Sequence, residues 1–394
     1  MQYRTDLKSG NKLSALGFGC MRFPRNLNQI DISKSEKLIL TAIQNGVNYF
    51  DTAYVYGGSE DTLGQIIQKN NIREKMYLAT KLPFGKCRNY DDFDTLFQTQ
   101  LQRLHTDYID YYLIHNLPEL KLWENLCKLG IEEWIEKKKE AGQIKQIGFS
   151  FHGVHDEFLS LLDAYDWDFC QIQYNYININ YQAGMAGLKK ASEKGLPVII
   201  MEPLLGGKLA NGLPEKAIDL FQSANNTLSP AAWALRWLWN QPEVTVVLSG
   251  MSEEEQLKEN MGTVENAMPG TLTDNENEVI QSVIDIFNKS YKIPCTGCGY
   301  CMPCPQKVNI PGCFTAYNVS YVTGMFSGFQ QYATSTRAMD LQENYKASRC
   351  IKCGRCEKQC PQHIPITKSL EQVRKRMEPF WLQFALKLYL KLRG

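Results

Sequence analysis

Eight cysteines in two runs hold the densest chemistry of this 394-residue chain. The first run reads Cys295-x₂-Cys298-x₂-Cys301-x₂-Cys304-Pro305, and the second Cys350-x₂-Cys353-x₂-Cys356-x₃-Cys360-Pro361. A cuboidal 4Fe–4S cluster takes one thiolate per iron. Three cysteines at this spacing wrap three corners, and the fourth ligand comes from elsewhere. Where two such runs share a domain, the cysteine before proline serves the other cluster. That rule groups Cys295, Cys298, Cys301 and Cys360 around one cluster, and Cys350, Cys353, Cys356 and Cys304 around a second. Paired C-x₂-C alone would also suit two zinc ions. A third cysteine at the same spacing and a proline after the fourth, in both runs, favour two clusters. The first run has two residues before its last cysteine where the pattern has three, so Cys313 stands as the alternative to Cys304.

A second set of chemical groups falls at the ends of apolar runs. Eight runs rich in β-branched and aromatic residues occupy 16–19, 48–53, 76–81, 109–115, 144–150, 169–175, 197–203 and 244–250. Between them lie stretches with apolar residues three and four apart, the spacing of amphipathic helices. Gly46, Gly142 and Gly195 follow such stretches as helix caps do. Strict alternation of strand and helix demands a parallel sheet with crossovers. Eight units in about 250 residues fit a (β/α)₈ TIM barrel. Such barrels carry their chemistry at the C-terminal strand ends. Those ends offer Asp51, Lys81 and His115, with Tyr56 in the loop after the second strand. A carbonyl that accepts a hydride develops negative charge on oxygen and needs a proton. Free tyrosine, with a pKa of about 10, is a slow donor at neutral pH. A buried lysine cation beside it lowers that value, Asp51 keeps the lysine charged, and His115 orients the substrate oxygen.

Composition is that of an ordinary globular protein, with 44% hydrophobic and 22% charged residues and a formal net charge of +1. Nothing global points to nucleic acid. No secretory leader or apolar run of membrane-spanning length is visible, which places the chain in the cytoplasm. Cysteines clustered in such a chain read as metal ligands rather than disulfides. The scattered Cys20, Cys87, Cys127 and Cys170 read as small buried side chains, and Trp233, Trp237 and Leu238 as core.

The segments F-D-T-A-x-x-Y (50–56), A-T-K (79–81), Y-L-I-H-N (112–116) and I-G-F-S (147–150) resemble the aldo/keto reductase superfamily over roughly residues 3–262. With its cysteine runs the whole chain is similar to aldo/keto reductases that carry a fused 4Fe–4S domain. The resemblance implies a site of Asp51, Tyr56, Lys81 and His115, with Tyr56 as proton donor, and NAD(P)H as hydride source. It implies further that Ser150 and Gln171 hold the nicotinamide carboxamide. Met201 replaces the aromatic ring that commonly stacks on the nicotinamide, and Phe151-His152 follows the serine where many members have Asn. Residues 247–260 match the family's phosphate-binding loop and helix, with Ser249 and Asn260 in it. Gly250 and Gln256 stand where a lysine and an arginine often grip the 2′-phosphate. Glu253 to Glu255 would repel that phosphate, so a weak NADPH preference is expected. The opened nicotinamide pocket leaves room for FMN.

The expected organisation is a barrel over 1–290, a small, mainly α-helical ferredoxin-like domain over 291–375 and a basic amphipathic helix over 376–394. That last helix docks on the protein's own surface, on a membrane surface or on a redox partner, the first being favoured. The expected activity is reduction of a small carbonyl compound, or oxidation of the alcohol, with the clusters linked to a ferredoxin-type carrier. Specificity would lie in loops 85–92 and 116–125; His152 and His155 are candidates for the mouth, with core or surface roles favoured. The alternative is an electron-transfer or redox-sensing protein whose barrel binds a nucleotide or flavin without turnover.

Overall fold

Runs of apolar residues become strands here because both faces of each are covered. Ile109–Ile114 and Val244–Ser249 are buried at every position. The computed structural model describes residues 1–27, 29–338 and 344–379. Within them, Leu16–Gly19, Tyr49–Asp51, Tyr77–Leu82, Ile109–Ile114, Ile144–Phe151, Phe169–Gln173, Val198–Met201 and Val244–Ser249 form a closed barrel. All neighbours run parallel, and Val247 pairs with Leu16 and Ser249 with Phe18 where the eighth strand meets the first. The eight strands coincide with the eight runs expected from sequence.

Local signals set the intervening helices. Ile32–Gln44 begins where the Asp31 side chain accepts from Lys34 N at 2.9 Å. Tyr90–Leu104 begins with a reciprocal capping box between Asn89 and Asp92. Gly46, Gly142 and Gly195 sit at φ of 86°, 69° and 73°, the left-handed region that ends helices.

Inside the barrel, Tyr49, Ala79, Tyr111, Leu113, Phe169, Ile199, Val246 and Leu248 form one packed cluster. Gly17 makes room for it, since a Cβ there would lie 2.7 Å from Leu248 Cδ2 and Val246 Cγ1. Side chains alternate along a strand, so the next inward position towards the C-terminal end is two residues further on. Those positions are Asp51, Lys81, His115, Gln171, Met201 and Gly250.

Two compact units emerge. One comprises residues 1–204 and 231–273 and contains the barrel; the other comprises 205–230 and 274–394. In the second unit, Asp274–Ser290 packs on Glu215–Ala224. Helices Ile310–Val322 and Met325–Thr336 pack together, with Ile366–Met377 against the first of them. Ile293, Val308, Phe314, Leu370 and Val373 form this unit's core. Asn318, buried in it, accepts from the Lys292 and Ile293 backbone nitrogens and donates to Ile293 O at 2.7 Å. Helix Ile366–Met377 ends within the expected terminal helix, while residues 380–394 lie outside the described residues. Between the two cysteine runs, residues 339–343 also lie outside them. Asn344–Lys346 is not helical, and Ala347–Arg349 forms a single 3₁₀ turn. No described helix is long and apolar enough to cross a membrane.

Candidate functional site

Asp51, Lys81, His115 and Tyr56 converge at the barrel's C-terminal end. Lys81 Nζ donates to Asp51 Oδ1 at 2.6 Å, to Oδ2 at 2.7 Å and to Thr52 O at 2.8 Å. The same ammonium lies 5.2 Å from the Tyr56 ring centroid. The Tyr56 and His115 rings meet edge to face at 5.9 Å. Lys81 and Asp51 are both buried, so the charge pair is out of bulk water. Burial pushes the Lys81 ammonium below its ordinary value, and Asp51 acts against that shift. Burial, the Lys81 cation and His152 together hold the His115 imidazole well below its usual range. His115 is therefore neutral at pH 7 and can donate a hydrogen bond without a charge.

A buried network fixes the strand that carries Lys81. Gln100 Nε2 donates to Lys81 O at 3.1 Å and to Glu60 Oε1 at 2.7 Å, and Thr80 Oγ1 donates to the same oxygen at 2.7 Å. Arg103 balances the Glu60 carboxylate at 3.1 Å. Tyr112 OH closes the network on Gln100 Oε1 at 2.7 Å. No motif announces it, because its members come from one helix start, two strands and another helix.

The residues matched to the nucleotide divide into two places. Gln171 Nε2 donates to Asp51 Oδ2 at 2.9 Å, and Ser150 Oγ accepts from Asn116 N at 2.7 Å. Ser150 and Gln171 pair in register, and Met201 pairs with Gln173 two residues further along. Beyond the eighth strand, Asn260 Nδ2 donates to Ser249 Oγ at 3.1 Å in a buried contact. Gln256 does not join them: its Oε1 accepts from Ser252 N at 2.9 Å and Glu253 N at 3.3 Å and caps its own helix. Two of the three glutamates at this helix start are also engaged. Glu253 pairs with Lys34, and Glu254 with Lys37 at 2.6 Å.

Arg22 is the residue that sequence reasoning missed. It ends the short turn Cys20–Arg22 after the first strand, and barrel closure brings that turn beside the eighth strand's end. A Cβ on Gly250 would lie 3.1 Å from Arg22 Cβ and Cδ, so the arginine stem rests on the Gly250 backbone. Its guanidinium is exposed and enters no ion pair among the described residues. His152 Nδ1 lies 3.1 Å from Gln182 Oε1, and His155 Nδ1 2.9 Å from Ala183 O.

In the second unit the cysteines gather as two sets. Cys295, Cys298, Cys301 and Cys360 line one cavity, together with Ile310 and Phe314. Burial raises the Cys301 thiol to about 12, with Cys295, Cys298 and Cys360 adding to the shift as neighbours. Cys304, Cys350, Cys353 and Cys356 line a second cavity of about 330 Å³, which Cys301 also borders. Cys313 is fully buried in the helical core, its Sγ 4.0 Å from Tyr345 O. Cys304, with its shortened spacing, thus takes the place on the cavity wall and Cys313 does not. Among the described residues, no three His, Cys, Asp or Glu side chains are gathered tightly enough for a single metal ion. Both cavities have thiols from each run on their walls, and each offers the four ligands that a four-iron cube takes, one per corner. Cys304→Ala is expected to halve iron and sulfide in anaerobically purified protein, while Cys313→Ala leaves both unchanged. Equal loss in the two variants would reject this assignment.

Residues 15–285 match the Aldo/keto reductase family, and residues 294–365 match the 4Fe-4S dicluster domain. The chain is 25% identical to an uncharacterized oxidoreductase, YrpG, of Bacillus subtilis (strain 168), over 73% of this chain and 96% of that one. It is also 25% identical to the L-glyceraldehyde 3-phosphate reductase of Escherichia coli O157:H7, over 68% and 88%. The solved holo form of aldo-keto reductase AKR11C1 from Bacillus halodurans superposes with a TM-score of 0.59 at 25% identity, covering 72% of this chain and 96% of that one. The chain belongs to the aldo/keto reductase family of oxidoreductases and carries a C-terminal 4Fe–4S dicluster domain.

Proposed function

We propose that the barrel reduces a small carbonyl compound, or oxidises the matching alcohol, at Asp51, Tyr56, Lys81 and His115. We propose also that the cysteine sets hold two 4Fe–4S clusters that exchange electrons with a ferredoxin-like carrier. One observation carries the first reading: a buried Lys81 ammonium held by Asp51 beside the Tyr56 ring. Similarity to a reductase of a phosphorylated three-carbon aldehyde favours small aldehydes as substrates.

A reduced nicotinamide bound at the barrel mouth supplies the hydride. Neutral His115 donates a hydrogen bond to the substrate oxygen and fixes its place. Tyr56 OH gives that oxygen a proton as negative charge develops on it. The Lys81 cation stabilises the phenolate left behind, and Asp51 stabilises the cation. Ser150 Oγ accepts from Asn116 N and keeps its own proton to donate to a carboxamide oxygen. Hydride and proton complete this reduction, so its electron balance does not draw on the clusters. Each 4Fe–4S cluster would supply one-electron storage, held by four of the eight thiolates. Anaerobic assay of NADPH and NADH oxidation with glyceraldehyde, alongside flavin and iron analysis, tests both halves. Absence of nucleotide binding and turnover would defeat the first; iron well below eight per chain would defeat the second.

Coenzyme preference follows from the helix start near Gly250. The loops after the seventh and eighth barrel strands often bind phosphate. The cations that could meet a 2′-phosphate here are Arg22, Lys34 and Lys37, with Glu253 and Glu254 already paired. The expected outcome is an NADPH preference resting on Arg22. Arg22→Ala should weaken NADPH binding roughly 10- to 100-fold, the size of a lost hydrogen bond to a charged group. NADH binding should change little. Equal loss for both coenzymes in titration would place Arg22 elsewhere.

A further inference from the structure

Charge in this chain is sharply divided. Residues 1–290 hold 28 Lys or Arg and 37 Asp or Glu, whereas residues 291–394 hold 15 and 5. Over 344–379, nine basic residues face three glutamates, and those three are committed. Glu357 accepts from Thr367 N and Oγ1 at 2.7 and 2.8 Å, and Glu371 pairs with Lys352 at 2.5 Å. Glu378 is buried, accepting from Tyr332 OH at 2.6 Å and Ser348 N at 3.0 Å. Arg355 and Lys358 are exposed and enter no ion pair among the described residues.

The two cysteine sets differ in access to this basic surface. Cys353 is the exposed member of the eight, with Ile351 beside it at 62% exposure. The first set is walled by Ile310, Pro311, Phe314, Ile364 and Ile366. The second opens where Ile351 and Arg355 border its cavity. An exposed aliphatic side chain in a stretch that also exposes Lys352, Arg355 and Lys358 has the make-up of a small transient interface, with an apolar centre and a charged rim.

We propose that the face formed by Ile351, Lys352, Arg355 and Lys358 around Cys353 docks an acidic one-electron carrier protein. The Cys304/Cys350/Cys353/Cys356 cluster is then the point of electron exchange. This rests on the reading that the cysteines hold redox-active clusters. In the step, the reduced carrier loses one electron and the cluster gains one; no bond or proton moves. Fields of this sign steer an acidic partner and raise its encounter rate in a salt-dependent way.

The test uses full-length, anaerobically purified protein with an acidic plant-type 2Fe–2S ferredoxin as the probe. Freeze-quench EPR follows oxidation of the probe and appearance of the reduced 4Fe–4S signal. The wild-type rate should fall steeply with ionic strength. R355E/K358E should slow it about tenfold or more at low salt, and R355Q/K358Q by less, with iron content unchanged in both. Photoreduction by a small neutral deazaflavin should proceed equally in all three proteins. Rates insensitive to salt and to both variants would overturn the proposal. So would an unaltered carrier rate combined with variant-sensitive sedimentation on phosphatidylserine vesicles, which would reassign the face to a lipid surface. Should deazaflavin fail to reduce the wild-type clusters, the reading of redox-active clusters fails instead.

Discussion

Replacing Tyr56 by Phe is expected to lower kcat for carbonyl reduction by about 10²–10⁴, the usual yield of a positioned general acid. The ring survives the change, so its edge-to-face contact with His115 survives as well. Only the proton is removed, and NAD(P)H binding measured by fluorescence titration should stay within about twofold. A variant that kept wild-type kcat would show that another group protonates the substrate. The pH profile adds a second check. Because His115 is held far below its ordinary value by burial, Lys81 and His152, it stays neutral as pH falls through about 6.5. Turnover should therefore show no acidic limb from this residue near that pH. Stability behaves differently. Below about pH 6.5 the unfolded chain protonates His115 and the folded chain does not, so the residue lowers stability progressively until the folded value is reached.

Lys81→Met should be the most damaging single change to the barrel's stability. The substitution leaves Asp51 buried with its main counter-charge gone, and breaking such a pair costs about 3–5 kcal/mol. Gln171 still donates to Asp51 Oδ2, but a neutral amide does not replace a cation. Adding Asp51→Asn removes the stranded charge, and the double variant should regain most of the lost thermal stability. Neither protein should turn over. Additive losses in a double-mutant cycle would show that the two residues are not energetically paired.

Much of the barrel is legible because its strands are covered on both faces and so read as continuous apolar runs. The site is legible for a related reason. Alternation along Tyr49–Asp51, Ala79–Lys81 and Leu113–His115 carries each polar group to the strand end on the side the core faces. What escaped notice depends on contacts distant in sequence. Arg22 touches Gly250 only because the barrel closes, and a three-residue turn has no periodicity to betray it. The Lys34–Glu253 and Lys37–Glu254 pairs, which counter the part of the expected repulsion due to those two glutamates, have the same origin. Gln256 is a different case, since a capping residue followed three positions later by Gln is a recognisable helix start. The packing of Glu215–Ala224 with Asp274–Ser290 has no local sign at all.

The crossing of the two cysteine runs has a consequence for biosynthesis. Each cavity is lined by thiols from both sides of the 45 residues that separate Cys304 from Cys350. A nascent chain that has emerged only as far as Cys304 can complete neither set. The barrel, whose last strand ends at Ser249, can close while these ligands are still inside the ribosome. Iron and sulfide must then arrive after the second run has been made, and the last thiol of the first set, Cys360, is also the last of the eight to be made.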